Sequence, residues 1–584
     1  MGWSGVRFKS RTLLDAFVIS LPWIAAAYVW LSALAFVPVP WPDDSAFYFV
    51  GRDALQWPPR WVMLPQAPFE PTYRIWNFNT MPLYPLLLGL GRLVGIDGSF
   101  ALKFWPLSAW AASGSLLAFA LLRFGFPRLL TALVILAMAL DPVMRWASVL
   151  VRPESLIGLA GMGVVLGLTF GYPSKWRTRK FWDPTAALLA IGAYSHFNAV
   201  HILFAVVIAL IAQPRRLFEI GSRCALYLVP WLITVAAHHK IFFHQMRTQW
   251  NRLAVPNGWL ESPSTAVSSL FQDMGSPEPW PEKLRWAGVS LWLLILLAIT
   301  VALTHVILSI AERKGRRRPS AIHRLAPSAG WVIGAMWLWH SKPEVWFVYY
   351  LHLATLTFAA ILGLELYRAS RRPLTTAPAV SGAREQTRMI GTFGMVVWAL
   401  ALLPVSSLFG WVDVTQARRL AKTKTWSWDQ YHSFVQCIDD RLSQLERDTK
   451  DKRKGPLQAW FPTFPDVTIE MARRHPEWQL TRTNDFWDRN YLAVQHGHNV
   501  DAVVVTETLN WAEREISAPV EENPGIISTW MTWTGYYLHL LPEAPGWKPT
   551  RYLCQRGRWQ AFIFMEAPRA SAEGAVSKKL TSYR

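Results

Sequence analysis

The stretch Trp41-Pro42-Asp43-Asp44-Ser45-Ala46-Phe47-Tyr48 places two adjacent carboxylates directly after the first long apolar run, residues 12–37. A run of that length spans a bilayer. Asp43 and Asp44 therefore emerge just outside the hydrocarbon region, among aromatic side chains of the kind that anchor at an interface. Neighbouring acids repel, and burying them among aromatics costs on the order of a few kcal/mol unless something binds them. A loop that needed only polarity would use Ser, Asn or Gly. The pair marks a candidate reaction centre, with a solvated acid pair or a helix cap as the plain alternative.

Composition points to a membrane as well. Of 584 residues, 52% are hydrophobic, 34 are Trp and 17% are charged. A soluble chain of this length carries more charge and scatters its apolar residues. The net charge of +20 would indicate nucleic acid in a soluble protein. Here the basic residues cluster in short segments between apolar runs, as the positive-inside rule requires, and no nucleic-acid partner is expected. Arg7, Lys9 and Arg11 precede an apolar run longer than the roughly 7–15 residues of a signal-peptide core, which reads as a retained first span.

With the amino terminus inside, residues 38–99 form a long external loop, too polar and Pro-rich to cross, with one or two interfacial helices including residues 82–94. Further spans are expected at about 100–122, 128–149 and 153–172. The segment 184–213 is interrupted by Tyr194-Ser195-His196-Phe197-Asn198 and reads as two short helices meeting at the external side. A break at membrane depth is tolerated where it lines a cavity or is buried in protein, which places His196 and Asn198 near one. Spans at 222–240, 286–310, 325–341, 345–367 and 389–411 follow, with an external loop at 241–285. The cluster Arg313-Lys314-Gly315-Arg316-Arg317-Arg318 marks the cytoplasmic side most strongly. The total is about eleven spans, and the odd number puts the tail outside, on the side of Asp43.

Residues 1–411 thus form a polytopic α-helical membrane domain, and 412–584 a small extracytoplasmic α/β domain. In the tail, residues 428–449 have helical spacing, while 500–505 and 559–564 read as buried strands. Cys437 and Cys554 both lie there, free to pair or to stay reduced. No internal repeat, Gly-rich phosphate loop, nucleophile elbow or metal-binding His cluster is visible.

An acidic pair in the first external loop, followed by Phe47-Tyr48, resembles the GT-C class of integral membrane glycosyltransferases. Protein mannosyltransferases and the aminoarabinose transferase of lipid A belong to that class. The resemblance continues at Asn77-Phe78-Asn79-Thr80-Met81-Pro82-Leu83-Tyr84, similar to a Pro-Leu-aromatic segment at the end of the same loop. Thr80-Met81 stands where members often have a basic residue or a second Pro. What the resemblance implies is transfer of a sugar from a polyprenyl-phosphate donor to an extracytoplasmic glycan, lipid or protein, with inversion. Asp43 and Asp44 would be catalytic, and Asn79 and Tyr84 would contribute to donor binding. Arg152 and Glu154, at the external mouth of a span, match an Arg/Glu pair lining the cavity, and Arg offers a phosphate a bidentate fork. Lys342, Tyr349 and Tyr350 resemble a Lys-then-Tyr stretch opening a late span, where Lys offers a point charge and Tyr a donor. As bare sequence, these residues are also ordinary interface anchors, and His196 an ordinary core histidine.

Adjacent acids are also oxygen ligands for Mg²⁺ or Mn²⁺, although a monophosphate donor needs less charge neutralisation than a pyrophosphate. The alternative reading is a transporter or lipid flippase with an accessory periplasmic domain. It predicts acids inside spans and symmetry between halves, and the apolar runs are nearly free of acids. A bacterial inner membrane suits a basic, Trp-rich chain with an external tail.

Overall fold

The computed structural model describes residues 13–33, 42–62, 76–172 except 79, 182–253, 285–311, 321–341, 345–371, 389, 391–398, 402, 428–461 except 452 and 454, 467–482, 501–508, 549–556 and 559–566. Contacts divide the chain into two compact units. One holds residues 1–38, 50–61 and 76–423; the other holds 39–49, 62–75 and 424–584.

The first unit is helical. It comprises α1 (Leu13–Ala33), the end of α2 (Pro42–Ala54) from residue 50 on, α3 (Leu83–Leu93), α4 (Phe104–Arg123), α5 (Arg128–Leu140), α6 (Pro142–Ser148), α7 (Glu154–Phe170), α8 (Pro184–Ser195), α9 (His201–Leu210), α10 (Pro214–Tyr227), α11 (Val229–Ala237), α12 (His239–Leu253), α13 (Arg285–Ala311), α14 (Ala321–Ser341) and α15 (Val345–Ser370). The start of α2, with the acid pair, is grouped with the other unit. Among the described residues, four helices are long and apolar enough to cross a membrane, or five if one bent pair is a single span. Shorter apolar helices, α5, α7, α8 and α9 among them, fill out the bundle.

Two expected spans are broken. The segment 128–149 divides at Asp141, whose backbone is extended (φ −66°, ψ 114°). The cause is local: the residue before a proline is pushed out of the α region. Pro142 then starts α6 with a pre-set φ, and the Asp141 carboxylate caps it by accepting from Met144 N at 2.9 Å. The span expected at 222–240 is instead α10 and α11, bent by 61°, with Pro230 in the first turn of α11. The start of the expected external loop 241–285 is helical, in α12. The break expected at 194–198 is present. Ser195 ends α8, His196 is extended, and a 3₁₀ turn, Phe197–Val200, leads into α9.

Close helix approach is set by glycine. A Cβ on Gly51 of α2 would lie 2.0 Å from Pro85 O in α3, and one on Gly334 of α14 would lie 2.2 Å from His201 O in α9.

The second unit contains α16 (Trp428–Thr449), α17 (Thr468–Arg474) and a mixed five-stranded sheet of β1 (Gln458–Phe461), β2 (Gln479–Arg482), β3 (Ala502–Thr508), β4 (Pro549–Arg556) and β5 (Trp559–Glu566), in the order β2-β1-β3-β5-β4. β1 pairs in parallel with β2 and β3, whereas β5 runs antiparallel to both β3 and β4. The two strands read from the sequence are neighbours, with Val503 opposite Phe564. Val503, Val504 and Val505 are fully buried, as a continuous apolar run in a covered strand requires. Cys437 of α16 and Cys554 of β4 form a disulfide.

Candidate active site

The acid pair lies in the first turn of α2. Pro42 opens the helix, so Asp43 and Asp44 occupy its next two positions rather than the cap. Carboxylates there are favoured by the helix dipole. Asp44 is fully buried, with Ser45 beside it at 0% exposure. The side chain of Asp43 lies outside the described residues. Phe47 and Tyr48, expected as interface anchors, are buried at 4% and 1% exposure; alternating with exposed positions is not available to a helix covered on all sides.

Within the helical unit, several breaks and helix starts bring polar groups together. Arg152 lies between α6 and α7, and Glu154 opens α7. Arg152 Nε donates to both oxygens of Glu154 at 3.2 and 3.3 Å, and Arg152 Nη2 reaches Oε1 at 3.1 Å. Their side chains are 8% and 2% exposed, so the pair is desolvated and pre-oriented. Tyr350, in the first turns of α15, feels the charges of both Glu154 and Arg152, and its hydroxyl faces Asn198 of the broken helix. Tyr349 faces Ser155 in the same way. Arg152, Glu154, Tyr349 and Tyr350, each singled out in the sequence, therefore share one cluster.

His196 stands at the break itself. Its Nδ1 accepts from Asn198 N at 3.2 Å and caps the 3₁₀ turn. The buried imidazole of this break is His201, at 0% exposure. It packs 4.4 Å from the Tyr350 ring and stacks on Trp331. Its Nδ1 lies against Asn198 O, which assigns the proton to Nδ1 and leaves Nε2 a bare acceptor. That Nε2 meets no donor among the described residues.

Three more residues escaped the sequence reading. Lys103, 1% exposed, precedes α4 and donates to Val149 O at 2.6 Å, three residues before Arg152. Asp141 and His352 form a buried pair at 2.6 Å between the α5/α6 break and α15. Lys103 was legible as a lone charge at a span end; Asp141 and His352 are 211 residues apart and were not. Glu365, near the end of α15, is likewise buried and is held by Arg324 and Arg368.

The segment 76–78, in the motif around Asn77, is held by α12. Gln245 accepts from Phe78 N at 2.8 Å and donates to Trp76 O at 2.9 Å, and Asn77 N donates to Trp61 O at 2.8 Å. Phe78 packs on Trp231 and Phe242, and His238 stacks on Trp76. Tyr84 is buried in the first turn of α3 at 1% exposure. Asn79 and Lys342 lie outside the described residues.

Neither a protein-family model nor a curated protein matches the chain. Its structure is similar to two crystal structures of ArnT from Cupriavidus metallidurans. For the form bound to undecaprenyl phosphate, the TM-score is 0.47 and identity 14%, over 96% of this chain and 99% of that one. For the apo form the values are 0.48 and 13%, over 95% and 98%. The functional reading rests on the residues themselves.

Among the described residues, a three-donor cluster suited to a metal occurs in the sheet-containing unit, at Glu446, His475 and Glu477.

Proposed function

We propose that this chain is an integral membrane glycosyltransferase that moves a sugar from a polyprenyl monophosphate to an extracytoplasmic acceptor with inversion. The observation that carries the reading is Asp44, a carboxylate with no solvent exposure in the first turn of the helix that follows the first apolar helix. A carboxylate without solvent exposure has to be held by its surroundings, and an acid pair at that place serves chemistry better than it serves folding. Asp43 would take the proton from the acceptor hydroxyl as its oxygen attacks the anomeric carbon, and Asp44 would orient that hydroxyl or share the basic role. The phosphate leaves with the electron pair of the broken bond. Arg152, held by Glu154 with Tyr350 beside it, would stabilise the growing charge, most strongly where water is excluded. Tyr84, Asn79, His196, Lys342 and Tyr349 are proposed to help hold the donor. Mg²⁺ or Mn²⁺ would be held by the carboxylates of Asp43 and Asp44 and would supply charge neutralisation there.

Eleven spans and an external carboxyl-terminal domain complete the proposal. The Cys437–Cys554 disulfide supports that side for the tail, because such bonds persist in oxidising compartments, and a bacterial inner membrane fits.

The test is incubation of purified protein with labelled polyprenyl-phosphate sugars. General-base assistance is worth roughly 10²–10⁴ in rate, so Asp43→Asn should lose that much transfer while melting like wild type. Transfer by this variant at the wild-type rate removes Asp43 from the role. The transporter reading gains one observation, the buried Asp141–His352 pair, since ionisable groups inside apolar helices mark ion paths. A transporter leaves the sugar–phosphate bond intact, so release of free polyprenyl phosphate decides between the two.

A further inference from the structure

We propose that the sheet-containing unit carries a divalent-cation site, with Zn²⁺ as the ion, formed by His475 Nδ1 and the carboxylates of Glu446 and Glu477. This is independent of the sugar-transfer reading. The three donor atoms lie within 4.8 Å of one another. They come from two elements fixed separately: Glu446 from the last turns of α16, and His475 and Glu477 from the turn that leaves α17. The sequence His475-Pro476-Glu477-Trp478 makes that turn, closed by Trp478 N donating to His475 O at 3.1 Å.

Two of the three ligands, His475 and Glu446, are oriented from behind. His475 Nε2 meets Asp439 Oδ1 at 2.6 Å, which puts the ring proton on Nε2 and turns the Nδ1 lone pair toward Glu477. The imidazole plane is fixed by stacking on Trp478, with centroids 3.7 Å apart and planes 5° from parallel. Glu446 accepts from Trp478 Nε1 at 3.0 Å and from Arg453 Nη2 at 3.3 Å. A ligating histidine whose other nitrogen is bound by a carboxylate, beside a ligating carboxylate that is itself hydrogen-bonded, is the usual outer shell of a protein metal site.

The spacing of the His475–Glu477 pair also accommodates a metal. His475 Nδ1 lies 3.4 Å from Glu477 Oε1, too far for a charge-assisted hydrogen bond of about 2.7–2.9 Å. Bonds of about 2.0–2.2 Å to tetrahedral Zn²⁺ place neighbouring ligands roughly 3.4 Å apart. One nitrogen and two carboxylates fill three positions, and water takes the fourth. Imidazole in the set favours Zn²⁺ over Mg²⁺ or Ca²⁺, which take oxygen ligands.

The experiment uses the full-length protein, stripped with a chelator and titrated with Zn²⁺ against a fluorescent competitor. The chain has 14 His, so the signal is the difference between variants. Wild type should bind one equivalent that His475→Ala loses. Glu477→Gln should weaken it at least tenfold, and Asp439→Asn, which removes an orienting group, by 10–100-fold. The Glu477 side chain is 56% exposed, so its variant folds whether or not the site exists. Zn²⁺ should also slow hydrogen exchange in α17 of wild type and leave Glu477→Gln unchanged. Equal Zn²⁺ uptake by wild type and Glu477→Gln, or protection of α17 in both, overturns the site. Uptake of Mn²⁺ or Mg²⁺ without Zn²⁺ overturns the choice of ion.

Discussion

Arg152 with Glu154 in the helical unit and Arg474 with Asp439 in the sheet-containing unit are the same chemical pair in two solvents. The first has side chains 8% and 2% exposed; in the second, Arg474 and Asp439 are 21% and 11% exposed. Desolvation makes the first pair interdependent, because a charge held in a low dielectric depends on its partner more than one in water does. In the second, Arg474 is partly in water, which screens the pair and lets that cation fall back on solvent. A buried ion pair beside orphaned acceptors such as His201 Nε2 is an expensive way to hold helices together, and that expense is the reason to read the cluster as functional.

The comparison breaks most easily at Glu154. Glu154→Gln keeps the shape and takes one charge from a desolvated pair, and loss of one member of a buried pair should cost about 3–5 kcal/mol, read as a fall in melting temperature in detergent. Arg152→Met with Glu154→Leu should recover most of that loss while abolishing activity. A double variant as unstable as the single would mean that the pair is not coupled through burial. In the other unit, stability leans on a covalent tie instead. Cys437 and Cys554 are 117 residues apart, and opening such a loop by Cys→Ala substitution at both should cost about 2–5 kcal/mol. The loss should appear as faster hydrogen exchange in α16 and β4, with the exchange of α7 and α15 unchanged.

How much of this was legible depended on whether the signal was local. The helix at 428–449, the strand pair β3 and β5, and the break at His196 each follow from spacing within about twenty residues, and all are present in the structure. The break at Asp141-Pro142 was equally local, but the apolar composition of 128–149 outweighed a single proline in the reading. Arg152-Pro153-Glu154 was visible as a charged span end. Its meeting with Tyr350, the Asp141–His352 pair and the clasp of Gln245 on residues 76–78 join segments about 170–210 residues apart, for which one sequence carries no record. Lys103 was overlooked because one charge at the end of an apolar run resembles an ordinary anchor until its burial is known.

A smaller effect sharpens how tightly the helical unit is packed. Gly334→Ala would set a methyl group against the carbonyl of His201. Neither backbone can yield cheaply, and overpacking of this kind costs about 1–3 kcal/mol. The shift would pass to the break that carries Asn198, so transfer should fall along with stability. Gly221 of α10 is the control, since a Cβ there meets nothing within 4 Å. Gly221→Ala should be neutral or gain up to about 1 kcal/mol from helix propensity. Equal losses at both positions would show that the close approach at Gly334 does not govern stability.

The smallest effect belongs to the screened pair and is seen best through pH. Burial pushes the Asp439 carboxyl up, but hydrogen bonds from Arg474 and His475 and their charges outweigh it, and the group titrates below the ordinary aspartate value. A depressed folded-state pKa means that the unfolded chain takes up the proton first as acid is added. The stabilisation is therefore complete above about pH 4, the ordinary range for aspartate, and disappears as pH falls through the lower folded value. With Arg474 and His475 partly in water, the contribution should be about 1 kcal/mol or less. Asp439→Asn should lower the protection of α16 at pH 6 by that amount and flatten its acid dependence between pH 5 and 3, in hydrogen exchange corrected for intrinsic rates. If the wild-type unit loses no more protection than Asp439→Asn over that interval, the carboxylate is a bystander, and the difference drawn between the two pairs would be one of burial alone rather than of coupling.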